Sequence, residues 1–385
     1  MDSENRSEER NVAGGESDVV GMHALSRRTL LKFGVAAGAG MAMGVREPVM
    51  SQTGGGESLA PANRQVDRVD VHAHFVPAFY REALTDAGLS APDGIRAMPE
   101  WDVESTLRVM DRLGVATAML SISSPGVHFG DDAKARVLSR RVNEEGRRLV
   151  DAYPGRFGLF ASMPLPDVDG AIAEATYAFE VLHADGVVFE TNQHGIYLGD
   201  PKLEPLYAEL NSRKAVMFVH PTSPGCSCSD RLHQQYPQPM LEFLFDTTRS
   251  ISDMVLAGVL ERFPDLRVIV PHAGAALPVL LERIELLLPL LGQGKPMPSM
   301  REAMRKLHFD LAGAPVPQLL GALLQVADPK RIHYGSDYPF TPAAACDALL
   351  KKIETTQLLD DKTLEGILRT NAHALFPRLA ALPRA

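Results

Sequence analysis

Short apolar runs that are rich in β-branched residues alternate with longer amphipathic segments from about residue 66 onwards. This alternation is the pattern of consecutive βα units, which build a parallel sheet. Eight such runs favour a closed (β/α)8 barrel, although an open doubly wound sheet has the same local pattern. The predicted strands are Arg68–His74, Ala116–Ile122, Arg156–Met163, Gly186–Thr191, Ala215–His220, Arg267–Pro271, Leu307–Leu311 and Arg331–Gly335.

The amphipathic segments between these runs predict the helices of the βα units. In one of them, apolar residues such as Leu244, Ile251 and Val255 recur with a helical period over several turns. The clearest predicted helices are Asp132–Tyr153, Ala171–His183, Pro201–Arg213 and Leu241–Phe263.

The N-terminal part of the chain differs from the rest. The basic pair Arg27 and Arg28 precedes an apolar run of small residues from Phe33 to Val45. This order is the form of a twin-arginine export signal, and a disordered arm is the alternative. The run is shorter than the roughly 20 apolar residues that cross a bilayer, so we expect no permanent membrane anchor. The predicted segments are a leader over residues 1–50, a Gly- and Ser-rich linker over residues 51–65, and the barrel over residues 66–385.

Composition narrows the function classes. The chain has 45% hydrophobic and 23% charged residues, which is typical of a globular protein. Its formal net charge of -9 argues against a nucleic-acid partner, since such binding comes from clustered Lys and Arg. Three cysteines do not make a disulfide framework, and we interpret the close pair Cys226 and Cys228 as ordinary loop residues.

Reactive side chains stand at the predicted ends of four strands. His72 and His74 close the first strand, His220 closes the fifth, His272 follows the sixth and Asp337 follows the eighth. Side chains at i and i+2 of a strand point to the same face, and the carboxyl ends of barrel strands meet at one mouth. Three imidazoles and a carboxylate around an open position are typical of catalytic Zn²⁺ or a similar divalent ion.

Three further residues have less specific patterns. Asp70 precedes His72 by two residues, so we interpret it as a group that orients a ligand, with a buried structural carboxylate as the alternative. His308 and His333 lie in predicted strands but away from the carboxyl ends. We therefore interpret both histidines as packing or surface residues.

Several motifs resemble the amidohydrolase superfamily, in particular its mononuclear decarboxylase branch related to aminocarboxymuconate-semialdehyde decarboxylase, and they are similar to 6-methylsalicylate decarboxylases. The likeness covers about residues 67–380. The motifs are Gly199–Val216, Phe218–Pro221, Phe245–Arg249, Pro271–Gly274 and Tyr334–Pro339.

The resemblance implies a metal site and an acid/base. It makes His72, His74, His220 and Asp337 the ligands of a divalent ion, with Zn²⁺ expected and Mn²⁺ as the alternative. It makes His272 the catalytic acid/base beside the metal, while Asp337 is the alternative proton donor.

The fourth predicted strand bears on the number of metal ions. Its end reads Phe189, Glu190, Thr191 and Asn192, without the lysine that binuclear relatives carry there in carboxylated form. We therefore expect one metal ion. Glu190 as a bridge to a second ion is the alternative.

The predicted function is metal-dependent, non-oxidative decarboxylation of a small aromatic or vinylogous carboxylic acid of the 6-methylsalicylate kind. The alternatives are a metal-dependent hydrolase of a lactone, ester or amide, and a non-catalytic ligand-binding barrel.

The loop Thr222–Pro239 is long for a βα connection and is a candidate lid. We also expect export to the periplasm through the twin-arginine translocon, and a homodimer. The predicted substrate contacts are Phe75, Asn192, Arg249, Tyr338 and Phe340.

Overall fold

A computed structural model of the chain describes residues 67–225, 236–293 and 295–380, and its main sheet has eight parallel strands in sequence order. The last strand returns to the first, where the Val71 N–H donates to the Tyr334 carbonyl at 3.0 Å. The predicted (β/α)8 barrel is therefore confirmed. The strands are β1 Arg68–His74, β2 Val115–Ser121, β3 Phe157–Ser162, β4 Gly186–Glu190, β5 Val216–His220, β6 Arg267–Val270, β7 His308–Asp310 and β8 Ile332–His333.

Helices occupy the connections between the strands. The predicted single helix Leu241–Phe263 is wrong, because Gly258 adopts a left-handed φ of 75° and separates two helices there. The helices are α1 Ala78–Asp86, α2 Val103–Leu113, α3 Asp132–Ala152, α4 Val168–Glu180, α5 Glu204–Ser212, α6 Glu242–Leu256, α7 Val259–Arg262, α8 Leu277–Gly292, α9 Met300–Lys306, α10 Gln318–Leu323, α11 Ala343–Thr355, α12 Asp361–Glu365, α13 Asn371–Leu375 and α14 Pro377–Ala380.

Aspartate caps fix where several helices begin. The carboxylates of Asp102, Asp131 and Asp167 each accept a hydrogen bond from a backbone N–H in the first turn of α2, α3 and α4. Such a bond satisfies one of the free amide groups at a helix start and stabilises the helix by roughly 1 kcal/mol. The βα units therefore begin at positions that are defined locally by the sequence.

The strands are nearly continuous apolar runs because both of their faces are covered. Every residue of β3, β4 and β5 is buried. Parallel sheets with helices outside and side chains inside require this pattern. Polar side chains are therefore exceptions in such strands, and in β3, β4 and β5 they lie at the carboxyl ends of the strands.

Some predictions fall on residues that the structure does not describe. The leader, the linker, Cys226 and Cys228 lie outside the described residues, so their interpretation stays a prediction. Within the described part of the chain, no helix combines the length and the apolar character that crossing a membrane requires.

Candidate metal centre and active-site cavity

The four predicted ligand side chains converge at the carboxyl ends of the strands. His72 and His74 end β1, His220 ends β5 and Asp337 follows β8; one donor atom from each lies within 4.8 Å of the others. Asp337 Oδ1 lies 3.5 Å from His72 Nε2 and 3.2 Å from His74 Nε2. These four residues, called the metal cluster below, have the donor set of a divalent metal site.

Each imidazole of the metal cluster has one ring nitrogen that contacts a neighbouring polar group outside the cluster, and one that faces the other ligands. The protein contacts are His72 Nδ1 to Asp310 Oδ2 at 2.9 Å, His74 Nδ1 to the Ser121 carbonyl at 3.3 Å, and His220 Nε2 to Ser123 Oγ at 3.3 Å. The opposite nitrogens are buried and have no hydrogen-bond partner. Buried polar atoms without partners are rare, and a metal ion is the partner that three convergent imidazole nitrogens fit. The residues present therefore fit a divalent ion.

The backbone after β8 brings Asp337 against β1. The Asp337 N–H donates to the His72 carbonyl at 2.7 Å, and Asp337 itself has a φ of 59°. A Cβ atom on Gly335 would lie 2.8 Å from the His72 Cβ, so this close approach requires glycine.

Asp70 Oδ1 accepts hydrogen bonds from the backbone N–H groups of His72 and Ser336. Asp70 thus positions backbone rather than an imidazole ring, and its burial raises the pKa of this carboxyl to about 7.

Asp310 orients the cluster, although the sequence analysis did not single it out. Its Oδ2 contacts His72 Nδ1, while its Oδ1 accepts from the backbone N–H groups of His272 and Ala312 at 3.0 and 2.9 Å. Burial raises the pKa of this carboxyl, but the charge and hydrogen bond of His72 outweigh it and the net shift is downward. The position of Asp310 at the carboxyl end of β7 was the signal that could have found it.

His272 stands beside the metal cluster in a short turn after β6. Its ring centroid lies 5.2 Å from that of His72, and its buried Nδ1 has no hydrogen-bond partner. A Cβ on Gly313, whose φ is 72°, would come within 3.3 Å of the His272 ring. Burial, followed by the charge of His72, lowers the pKa of His272. The ring is therefore neutral near pH 7 and can accept a proton.

Electrostatics favour the metal-binding protonation states of His74, His220 and Asp337. His72 differs, because burial lowers its pKa but the neighbouring Asp310 outweighs burial and the net shift is upward. Burial is the main cause that lowers the pKa of His74 and, more strongly, of His220. Burial raises the pKa of Asp337, but the neighbouring His74 and His72 outweigh it, so the net shift is downward. Neutral imidazoles and an ionised carboxylate are the forms that metal ions bind.

A cavity of about 530 Å³ opens onto His220, His272 and Asp337. Phe340 forms part of its wall and meets the His74 ring edge-on, with the ring centroids 5.3 Å apart. Most of the remaining wall is apolar. The volume lies within the roughly 300–1,000 Å³ of small-molecule sites. The cavity therefore suits a small, largely apolar molecule with a polar end at the metal cluster.

The sequence pattern of the amidohydrolase family matches residues 69–378. The chain belongs to the amidohydrolase family. It is 37% identical over 323 residues to a 6-methylsalicylic acid decarboxylase of Aspergillus aculeatus, covering 81% of this chain and 96% of the relative. It is 35% identical over 321 residues to the 6-methylsalicylic acid decarboxylase of Penicillium expansum, covering 82% of this chain and 98% of the relative. A dihydroxybenzoic acid decarboxylase of Polaromonas, solved with bound manganese and the inhibitor 2-nitroresorcinol, is 22% identical with a TM-score of 0.69, covering 81% of this chain and 97% of that one.

Of the five predicted substrate contacts, Phe340 lines the cavity. Phe75 and Tyr338 follow His74 and Asp337 directly in sequence, and neither belongs to the cavity wall. Phe75 is buried against Trp101 instead, with ring centroids 6.1 Å apart, and Tyr338 packs on the core. Neighbouring side chains along an extended strand point to opposite sides, which explains the placement of Phe75 after His74. The rule does not apply to Tyr338, because Asp337 before it has a left-handed φ of 59°.

The other two predicted contacts, Asn192 and Arg249, lie near the buried Asp246 and away from the cavity wall. Asn192 Nδ2 donates to Asp246 Oδ2 at 2.9 Å. Arg249 Nη1 lies 3.9 Å from Asp246 Oδ1, and its side chain is 44% exposed. The structure therefore places Arg249 as a helix-surface residue and not as a clamp on a ligand in this cavity.

Glu190 lies next to the metal cluster at the end of β4. Its Oε2 is buried without a hydrogen-bond partner and lies 3.5 Å from His220 Nδ1. Glu190 is not part of the group of four convergent donors. The role of Glu190 as a bridge to a second ion stays a prediction.

Two parts of the candidate lid are described. Pro237 and Pro239 line the cavity, and Ser223 Oγ donates to the Asp93 carboxylate at 2.5 Å. Residues 226–235 of the same loop lie outside the described residues. A closing motion of this loop stays a prediction.

A second pair of histidines, His308 and His333, is called the deep pair below. Both are buried, and His308 Nδ1 lies 2.9 Å from His333 Nε2. Arg331 Nη1 donates to His308 Nε2 at 2.9 Å. Because Arg331 can only donate, His308 carries its proton on Nδ1 and donates it to His333. These contacts agree with a packing role.

Proposed function

We propose that this chain is a metal-dependent, non-oxidative decarboxylase of a small aromatic carboxylic acid of the 6-methylsalicylate kind. The observation that carries the proposal is His272 beside a convergent metal cluster, at the base of a cavity of about 530 Å³. The 37% and 35% identity to 6-methylsalicylic acid decarboxylases supports this reaction over the hydrolysis of a lactone, ester or amide.

Decarboxylation breaks the bond between the ring and the carboxylate, so the electron pair left on the ring carbon must take up a proton. A divalent cation held by the metal cluster would bind and orient the substrate carboxylate and a neighbouring hydroxyl, and would stabilise the charge that develops. His272 is placed to carry the proton. Its lowered pKa keeps it neutral, so that it can take a proton from water and pass it to the ring carbon as the bond to the carboxylate breaks and CO₂ leaves.

Asp337 is a less suitable proton donor than His272. Its Oδ1 faces His72 and His74, and its Oδ2 accepts a hydrogen bond from Thr341 Oγ1 at 3.1 Å. Its net pKa shift is downward, which favours the ionised form. We therefore assign Asp337 to metal binding and His272 to proton transfer.

We propose one metal ion per chain, with Zn²⁺ as the expected ion and Mn²⁺ as the alternative. Manganese bound in the Polaromonas dihydroxybenzoic acid decarboxylase supports including Mn²⁺ in every reconstitution. Elemental analysis of the purified protein distinguishes the two ions. A stoichiometry of two would instead support Glu190 as a bridge to a second ion.

We further propose export by the twin-arginine route to the periplasm, supported by Arg27 and Arg28 before the apolar run. Fractionation of cells that express the double variant Arg27→Lys, Arg28→Lys beside the wild type tests this route.

A homodimer is supported by Leu286 and Leu290 on α8, each 74% exposed, because exposed apolar patches mark protein contacts. Light scattering of the purified protein measures the oligomeric state.

The reaction is tested by offering the purified protein hydroxybenzoates, lactones and esters in parallel. The proposal predicts CO₂ release from salicylates that carry a small substituent, with the matching phenol as product. Ring opening or ester cleavage without CO₂ release would assign the chain to the hydrolases instead.

A further inference from the structure

One acidic side chain of the cavity wall has no part in the metal cluster or in proton transfer. Asp93 lies in a short turn between α1 and α2, with a left-handed φ of 56°. Its Oδ1 accepts the hydrogen bond from Ser223 Oγ in the loop after β5, at 2.5 Å. This hydrogen bond thus connects the turn to the loop after β5, which belongs to a different βα unit.

The chemistry around Asp93 limits what can bind there. Among the described residues of the wall, the carboxylates are Asp93 and the proposed metal ligand Asp337. Much of the rest is apolar and offers no hydrogen-bond partner, as at Ile95, Phe243 and Leu319. A polar substituent on an aromatic ring in this cavity therefore has few hydrogen-bond partners. Apart from the proposed metal ligand Asp337, Asp93 is the carboxylate among them.

The carboxylate of Asp93 is held in place by hydroxyl groups. Burial raises the pKa of this carboxyl and outweighs the hydrogen bonds from Ser223 and Ser124, which favour its ionised form, so the net shift of the Asp93 pKa is upward. An ionised carboxylate only accepts hydrogen bonds. It attracts a phenolic O–H and repels another carboxylate, and both effects are strong in a poorly solvated cavity.

We propose that Asp93 is a specificity-determining residue, which accepts a hydrogen bond from a hydroxyl group on the ring of the aromatic acid and excludes acids that carry a second carboxylate. The substrate class is then monocarboxylic phenolic acids with otherwise neutral substituents. This inference rests on the proposed decarboxylase function, which it makes more specific.

The test compares salicylates that carry a methyl, a hydroxyl or a carboxylate group at ring position 4 or 6. Each is offered to the metal-loaded wild-type protein and to the Asp93→Asn variant, since Asn tolerates the left-handed φ of this position. The exposed Asp86 at the end of α1 provides a matched control, Asp86→Asn. The quantities compared are the ratios of kcat/KM between substituents within one protein.

We expect the wild type to use the dicarboxylate at least about 100-fold less well than the methyl compound, because two like charges meet in the cavity. In Asp93→Asn this discrimination falls by about tenfold or more, and the preference for hydroxyl over methyl weakens. Asp86→Asn keeps the wild-type ratios. Identical ratios in Asp93→Asn and wild type overturn the role of Asp93.

Calorimetric titration of the same proteins with the same acids separates this inference from the proposed function. If no acid releases CO₂, the decarboxylase proposal fails, and the affinity ratios then decide the role of Asp93 by themselves. Weaker exclusion of the dicarboxylate in Asp93→Asn supports it, and unchanged affinity ratios contradict it.

Discussion

The metal cluster and the deep pair both consist of buried imidazoles in one barrel, yet their ring nitrogens are used differently. In the metal cluster, His72 Nε2, His74 Nε2 and His220 Nδ1 lack partners and face the same group of donors. In the deep pair, His308 and His333 hydrogen-bond to each other, and Arg331 donates to the remaining His308 nitrogen. The buried His333 Nδ1 also lacks a partner, but among the described residues it does not belong to a group of convergent donors. Burial alone therefore does not identify a site; convergent nitrogens without partners do.

Charge separates the two groups as well. The carboxylates of Asp337 within the metal cluster and of Asp310 beside it favour positive charge there. The deep pair has Arg331 as its closest charged neighbour, and burial lowers the pKa of His308 to about 2 and of His333 to about 3. The first environment suits a cation, whereas the second suits neutral rings that fill space.

Removal of a ligand from the metal cluster should have the largest effect. We expect Asp337→Ala to lose nearly all bound metal and all measurable activity, because the cluster loses its anionic donor and the charge that balances the cation. Elemental analysis after dialysis measures the metal per chain. Asp86→Asn is the surface control, and full metal occupancy in Asp337→Ala would remove this residue from the ligand set.

The next effect separates metal binding from proton transfer. We expect His272→Ala to lower kcat by about 10²–10⁴-fold, the usual contribution of a general acid/base, while its metal content stays at the wild-type value. His183→Ala, at an exposed loop position with a similar left-handed φ, is the matched control. Activity close to that of the wild type in His272→Ala would assign the proton transfer to another group.

A smaller effect should follow from the carboxylate behind His72. We expect Asp310→Asn to weaken metal affinity by about 10–100-fold, because His72 loses the charged acceptor that fixes its tautomer and orientation. Competition with a chelator measures this affinity, and Asp86→Asn again serves as the control. Unchanged affinity would mean that the hydrogen bond does not orient the ligand.

The smallest effect concerns the deep pair and appears in stability rather than in activity. The folded-state pKa of His333 is about 3, against 6.5 for an ordinary histidine, so below pH 6.5 the unfolded chain binds more protons than the folded one. Stability contributed by the neutral ring is thus present above pH 6.5 and is lost as the pH falls towards 3. As the pH falls through this window, the unfolding free energy of the wild type should decrease more steeply than that of His333→Gln. The difference between the two slopes should be about 1.4 kcal/mol per pH unit.

Urea unfolding at pH 7, 6 and 5, with a chelator present throughout, measures this difference without a contribution from metal release. The raised pKa of Asp70 acts in the opposite direction, but it is common to both proteins and cancels in the comparison. Parallel pH profiles of wild type and His333→Gln would contradict the buried, neutral state of this ring.

The barrel and its ligands could be predicted from the sequence because both follow from local periodicity. Strand ends are recognisable in a buried parallel sheet, and the i, i+2 rule brings His72 and His74 together. The position of Asp310 at the carboxyl end of β7 would likewise have placed it beside the cluster. The orienting role was predicted for Asp70 from its place two residues before His72, whereas the carboxylate that contacts the His72 ring is that of Asp310.

The cavity wall could not be predicted in this way. Phe75 and Tyr338 were chosen because they follow ligands in sequence. Phe75 points away from His74 because adjacent side chains of an extended strand lie on opposite sides, and Tyr338 follows the left-handed backbone of Asp337. Asp93 reaches the cavity through a turn far from any strand end, held by Ser223 about 130 residues away in sequence. Contacts of this kind depend on how loops meet in space, and no local pattern encodes that.

The most direct test of the central claim is CO₂ release from 6-methylsalicylate by the purified protein, before and after metal removal and after reconstitution with Zn²⁺ or Mn²⁺. The account predicts CO₂ and the matching phenol in equal amounts, loss of both after chelation, and recovery at about one metal ion per chain. Equal CO₂ release with and without metal, or none at full metal occupancy from this acid and the related hydroxybenzoates, would contradict it.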